Sequence, residues 1–201
     1  MATSKNATAH PLSASSTAFR AIVDRIAAAS DAINADRQLP QDIVDDMANL
    51  GLFRLLVPTS VGGSETGLLD YLAMTQAIAA ADGSAAWAFN QNNVLGTIAS
   101  LMPAALASDV WSSPNAIVCN GPPQRTDVVP VDGGHKLTGR WNFSSGSRHA
   151  NWVMAAAKDE NAELRIFFIP KAEVEFFDTW QVSGLRGTGS FSFEVNAHFV
   201  P

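Results

Sequence analysis

The sequence predicts an α+β chain in which an all-helical part precedes a small β-barrel or sandwich. Three observations carry this. Up to about residue 112, apolar residues recur at helical spacing. From Pro114 onward the spacing drops to two. Gly, Pro, Asn and Asp then cut the second part into seven short apolar runs.

The helical elements follow in order. Phe19, Ile22, Val23, Ile26 and Ile33 share one face at 3.6-residue spacing. Gln41 to Leu50 starts after Pro40, with Ile43, Met47 and Leu50 on one stripe and Gly51 as its stop. The stretch GLFRLLVPTSVGGSETG interrupts the pattern through Pro58, Gly62, Gly63 and Gly67. A third helix is predicted over Leu68 to Ala81. Asp82 or Ser84 then caps a fourth, Ala-rich one from Ala85 to Leu101. Pro103 opens a short fifth helix ending near Ser112.

The β-runs are AIVCN, TDVVPV, HKLTGRWNF, NWVMAAA, ELRIFFIP, EVEFFDTWQV and FSFEVNAHFV. In the last, Phe191, Phe193, Val195, Ala197 and Phe199 alternate with polar residues, so one buried face is expected. The predicted organisation is a disordered tail over 1–15, a helical domain over 16–113 and a β-domain over 114–201.

Bulk properties narrow the function classes. A net charge of −6 offers no basic footprint for nucleic acid or an anionic membrane. No apolar run approaches the ~18 residues of a membrane span. The small, polar first 15 residues lack the apolar core of a secretory signal. A single cysteine, Cys119, rules out an internal disulfide framework and fits a reducing compartment, so a cytoplasmic location is expected.

Two motifs invite chemistry. In GRWNFSSGSRHANW, three serines surround Gly146 and His149 follows. A nucleophile elbow needs Gly-x-Ser-x-Gly on a strand-to-helix turn, which is not the pattern here, and nothing nominates an acid to orient His149. In GLRGTGS, glycines 184, 187 and 189 do not follow the dinucleotide or P-loop spacing, and a strand rather than a helix comes next. A tight turn is the plain reading, with Arg186 as a candidate anion contact. The four scattered histidines show no metal-ligand spacing, so no metal is expected.

Taken together and in order, GLFRLLVPTSVGG, ADGSAAW, GRWNFSSGSRHANWV and W-x-V-x-GLRGTGS ending in FVP resemble the acyl-CoA dehydrogenase superfamily. Within it they look most like the flavin-dependent monooxygenases, such as the oxygenase components of two-component phenol hydroxylases and the dibenzothiophene monooxygenases. The resemblance implies helical and β-domains followed by a four-helix bundle. Because Pro201 stands where the β-domain usually ends, a truncated member is expected.

The resemblance also implies a site. A hydroxyl at the NFSSG strand end meets flavin N5, which makes Ser144 the first candidate and Ser145 the alternative. Asn142 and Phe143 would lie beside the ring, and Asn120 of VCN would serve its pyrimidine side. Trp87, Phe89 and Asn92 would line the substrate pocket. The implied cofactor is reduced FMN supplied by a flavin reductase, with FAD as the alternative, and the substrate an aromatic or other small organic molecule. The dehydrogenases' Thr-Glu-Pro-Gly-x-Gly-Ser-Asp segment is replaced by NGPPQRTD, which favours the monooxygenases over an FAD-dependent acyl-CoA dehydrogenase. A non-catalytic fragment or partner subunit is the other alternative. A homo-oligomer is implied for the complete protein. For this chain alone, weak FMN binding, no turnover and an exposed apolar face around Trp141, Trp152, Phe191, Phe193 and Phe199 are expected.

Overall fold

A computed structural model describes residues 12–201. Most of the disordered-tail prediction therefore lies outside the described residues.

Helix α1 (Thr17–Ala28) starts at Ser16, whose hydroxyl accepts from the Phe19 N–H at 3.4 Å. The apolar face expected to run on to Ile33 is broken. Ala29 leaves helical geometry (φ −95°, ψ 1°), and α2 (Ser30–Asp36) starts after it. Phe19, Ile22, Ile26 and Ile33 are still buried, whereas Val23 is half-buried. Helix α3 (Gln41–Asn49) follows Pro40, and α4 (Leu68–Ala81) matches its predicted span. Asp82, rather than Ser84, caps α5 (Gly83–Gly96), accepting from the Ala85 N–H at 2.8 Å. Helix α5 ends earlier than expected: Thr97–Leu101 tightens into a 3-10 turn. Helix α6 (Ala104–Trp111) follows Pro103.

The irregular segment between α3 and α4 is held by two buried side chains. Arg54 donates to the carbonyls of Gly62, Ser113 and Trp111 at 3.2, 2.6 and 3.0 Å, and also to that of Val61. Asn93 of α5 donates to the Leu52 carbonyl at 2.8 Å and accepts from the Leu55 N–H at 2.9 Å. Buried loop backbone is thereby satisfied without secondary structure.

Seven strands follow: β1 (Val118–Asn120), β2 (Pro123–Val131), β3 (Gly134–Ser144), β4 (Trp152–Lys158), β5 (Leu164–Pro170), β6 (Glu175–Phe177) and β7 (Phe191–Val200). They form two sheets, β1-β4-β5 and β2-β3-β7-β6. The fully buried Trp141 on β3 stacks on Phe193 of β7 at 5.0 Å and donates its indole N–H to the Ala156 carbonyl of β4 at 2.8 Å. It therefore ties the two sheets together. A continuous apolar core runs from Phe19, Met47 and Phe89 on the helices to Leu137, Trp141 and Phe193 on the strands.

Three strand expectations are corrected. EVEFFDTWQV is not one strand: β6 stops at Phe177, where Asp178 leaves to pair with Arg37. The alternation of β7 fails after Val195, because Ala197 takes φ +49° opposite a register shift on β3. Ala197 and Phe199 turn outward, and Val200 packs on the core instead. The apolar face expected to be exposed is mostly interior. Trp141, Phe191 and Phe193 are buried and Trp152 half-buried, leaving Phe199 exposed.

Candidate functional site

A cleft of about 370 Å³ opens where α5, the ends of β1 and β3, and the 178–190 segment meet. Trp87 and Gln91 enter it from α5 and Asn120 from β1. Phe143 and Ser145 come from the end of β3, and Trp180, Leu185, Thr188 and Ser190 from the long turn. Among the described residues, none of the side chains lining it is charged.

Local geometry explains who reaches the cleft. Successive residues on a helix step by about 100°. Gln91, four residues after Trp87, therefore shares its face. Phe89 lies on the opposite side. It is fully buried and stacks on Tyr71 at 5.6 Å, so its placement in a substrate pocket is corrected. Asn92 is also buried, with its amide donating to the Ala88 carbonyl at 2.9 Å, and it does not line the cleft.

At the β3 end, Phe143 takes φ +58°. A bulky residue there is a backbone outlier, and the kink decides what the next serines face. Phe143 itself projects outward, 59% exposed, with its ring edge-on to Trp180 at 5.9 Å. Ser144 turns inward. Its hydroxyl is fully buried with no hydrogen-bond partner among the described residues, and a Cβ on Gly121 would stand 2.8 Å from it. Ser145 turns to the cleft and accepts from the Trp87 indole N–H at 2.9 Å. Its oxygen lies 2.9 Å from the Ser190 hydroxyl, which in turn lies 2.6 Å from that of Thr188. Asn142 faces a neighbouring cleft, where its side-chain carbonyl accepts from Ser192 at 2.8 Å.

The long turn is anchored on α2. Arg37 pairs with Asp178 and donates to the Trp180 carbonyl at 3.2 Å. The guanidinium holds the Asp178 carboxyl below its ordinary range. Arg186, the candidate anion contact, instead donates to the carbonyls of Asn34 and Val182, both at 3.1 Å. It braces the turn. Gly187 packs so closely on α2 and α5 that a Cβ would meet the Ile33 carbonyl and the Ser84 Cβ, each at 3.0 Å. Positive φ falls on Leu185 and Gly189.

His149 takes no part in a serine dyad. Its Nδ1 faces the Gln41 side-chain oxygen at 3.2 Å. Burial, aided by the charges of Lys171 and Arg148, pushes its pKa down to about 4, so the ring is neutral near pH 7.

The reading of the sequence missed Pro122, Trp180, Leu185, Thr188 and Ser190. The last four lie in the W-x-V-x-GLRGTGS stretch, singled out as a motif but given no place in the site.

Residues 13–105 match the acyl-CoA dehydrogenase N-terminal domain. The chain is 32% identical over 190 residues to an indole-3-acetate monooxygenase of Pseudomonas putida, covering 90% of this chain and 48% of that protein. It is 33% identical over 170 residues to the flavin-dependent monooxygenase oxygenase subunit HsaA of Mycobacterium tuberculosis, covering 82% and 43%. The crystal structure of HsaA from M. tuberculosis superposes with a TM-score of 0.87 at 30% identity, over 94% of this chain and 54% of that one. XiaF from Streptomyces, solved with FADH2 and glycerol, gives 0.81 at 26%, over 91% and 50%. The chain thus spans about half the length of the curated relatives it matches. No helix among the described residues is long and apolar enough to cross a membrane. In sequence and in fold, the chain is similar to flavin-dependent monooxygenase oxygenase components, and its residues 13–105 match the acyl-CoA dehydrogenase N-terminal domain.

Proposed function

We propose that this chain supplies the flavin-binding face of a monooxygenase oxygenase component, with the flavin ring in the uncharged cleft and its phosphate in the charged cleft beside it. The observation that carries this reading is the pairing of the two clefts. The second, of about 740 Å³, shares Phe143 and Trp180 with the first and adds Arg125, Arg140, Asn142 and Glu194. A neutral aromatic-walled slot next to one holding two guanidiniums suits a planar heterocycle carrying an anionic tail.

The residues divide the work by chemistry. Phe143, Trp180 and Trp87 offer ring faces and edges to a flat π-system and keep water from one side of it. Asn120 and Gln91 offer amide donors and acceptors to its polar edge. Ser145, rather than Ser144, presents its hydroxyl to the cleft, so Ser145 is the residue assigned to flavin N5. Arg125 is the freer of the two cations. Its side chain is 78% exposed and stands 3.8 Å from Glu194, whereas Arg140 is held by the same carboxylate at 2.7 Å. When bound, the reduced flavin supplies the electrons that activate O2 toward a small organic substrate. A separate flavin reductase provides it in this state.

Isothermal titration with FMN and with riboflavin, which lacks the phosphate, tests the reading. Both are expected to bind weakly, on the order of 100 μM, because an open cleft covers only part of the ring. FMN should bind several-fold tighter, and Arg125→Gln or added salt should erase that difference. No binding of either compound rejects the flavin reading, and equal affinity rejects the phosphate placement alone.

A further inference from the structure

Arg37 sits where a helix ends in left-handed backbone. It follows α2 at φ +57° and ψ +33°, a conformation that costs an L-residue and favours glycine. A strained position held by a bulky residue points to a use for its side chain. That use lies across the seam between helices and strands. The two terminal guanidinium nitrogens each donate to one carboxylate oxygen of Asp178, and one of them donates to the Trp180 carbonyl at 3.2 Å. The Arg37 carbonyl lies against the far end of the same turn, where a Cβ on Gly189 would stand 3.1 Å from it. A single residue at the end of α2 thus touches both ends of the segment that joins β6 to β7.

These contacts reach the cleft through Trp180. Between Phe177 and Phe191 the chain runs outside the strands, and it carries Trp180, Leu185, Thr188 and Ser190 of the cleft lining. Its later part is wedged in place, with Gly187 packed on Ile33 and Ser84 and Arg186 donating to the Asn34 carbonyl. At its start, Thr179 meets the Ser192 hydroxyl at 2.7 Å and the Trp180 indole donates to the Leu185 carbonyl at 3.0 Å. Single bonds of this kind fix a distance. A guanidinium gripping a carboxylate through two parallel bonds also fixes a direction. The Arg37 side chain is 20% exposed, so its pair is partly shielded from the water that weakens surface ion pairs.

We propose that Arg37 is a positioning residue for the cleft, holding the Trp180 ring as its wall through Asp178 and the Trp180 carbonyl. The identity of the ligand rests on the flavin reading above; the positioning does not. Arg37 lines neither cleft, whereas Trp180 lines both. Its loss should therefore act on the ring of a ligand and not on its phosphate, and weaken FMN and riboflavin alike.

Indole 15N–1H NMR, without ligand and in titrations with FMN and riboflavin, tests this. The chains compared are wild type, Arg37→Gln, Arg37→Gly, Trp180→Ala and the double variant Arg37→Gln with Trp180→Ala. Arg37→Gly suits the left-handed turn, so it removes the side chain and keeps the backbone path. Without ligand, both Arg37 variants are expected to shift the Trp180 indole signal and speed its hydrogen exchange, while the Trp111 and Trp141 signals stay fixed. Both should bind FMN and riboflavin about fivefold more weakly, the worth of one aromatic contact. In the Trp180→Ala background Arg37→Gln should add nothing, because the two residues act as one unit. An unmoved Trp180 signal overturns the proposal, and so do equal shifts at Trp111 and Trp141, which would mean general loosening. Full additivity in the double variant, or a loss of affinity for FMN alone, also overturns it. If wild type binds neither compound while the Trp180 signal alone moves in the variants, the flavin reading falls and the positioning role stands.

Discussion

Replacing Phe143 separates backbone strain from ligand binding. Its φ of +58° costs an L-residue roughly 1–2 kcal/mol and a glycine almost nothing. Phe143 is 59% exposed, so truncation forfeits little burial beyond the edge contact with Trp180, about 0.5–1.5 kcal/mol. Phe143→Ala keeps the strain and loses the contact, so it should destabilise by about 1 kcal/mol. Phe143→Gly loses the same contact but sheds the strain, at about 0.5–1 kcal/mol of added unfolded-state entropy. It should match wild type within about 1 kcal/mol and exceed the alanine variant. Urea unfolding followed by circular dichroism reads the order, because a difference of 1 kcal/mol moves the midpoint by roughly 0.3–1 M. Both variants should weaken FMN binding, since both remove the aromatic wall. An alanine variant as stable as the glycine variant would show that Phe143 carries no backbone strain. Unchanged FMN affinity in both would remove it from the site.

Two further perturbations probe the support of the site. The His149 pKa is lowered from its ordinary 6.5 to about 4, so the unfolded chain binds the proton more readily than the folded one. Stability should be fully present above pH 6.5 and fall by about 3 kcal/mol as the pH drops through to about 4. His149→Gln should flatten this window in acid unfolding, and an unchanged slope would assign it to other groups. Arg54→Leu should cost about 2–4 kcal/mol in thermal or urea unfolding, because one buried and three part-buried carbonyls lose their donor. A loss under 1 kcal/mol would mean that water replaces the guanidinium.

The fold class was legible because hydrophobic period and helix punctuation are local signals. Pro40, Asp82 and Pro103 mark helix starts through backbone chemistry readable at a single position. What escaped depends on residues distant in sequence. Nothing near Ala29 announces a break. The end of β6 is set by Asp178 pairing with Arg37, 141 residues away. Alternation alone does not reveal the bulge at Ala197, which reverses every side chain beyond it. The same limit governed the candidate site. Two adjacent serines on a strand face opposite ways, and which one faced the cleft hinged on the unusual φ of Phe143. The separation of Trp87 from Phe89, by contrast, follows from helical geometry and was within reach of the sequence.

In the proposed function a flavin ring lies against Trp87 and Trp180 in the uncharged cleft. The most direct measurement is a two-dimensional 15N–1H NMR titration of the indole N–H groups with reduced FMN under anaerobic conditions. Two of the five tryptophans of the chain, Trp87 and Trp180, line the cleft, while Trp111 and Trp141 are buried in the core. The Trp87 and Trp180 indole signals, each assigned by substitution with phenylalanine, should shift together with a single saturation curve while those of Trp111 and Trp141 stay fixed. Saturable shifts confined to other tryptophans, or no shift at millimolar FMN, would contradict it.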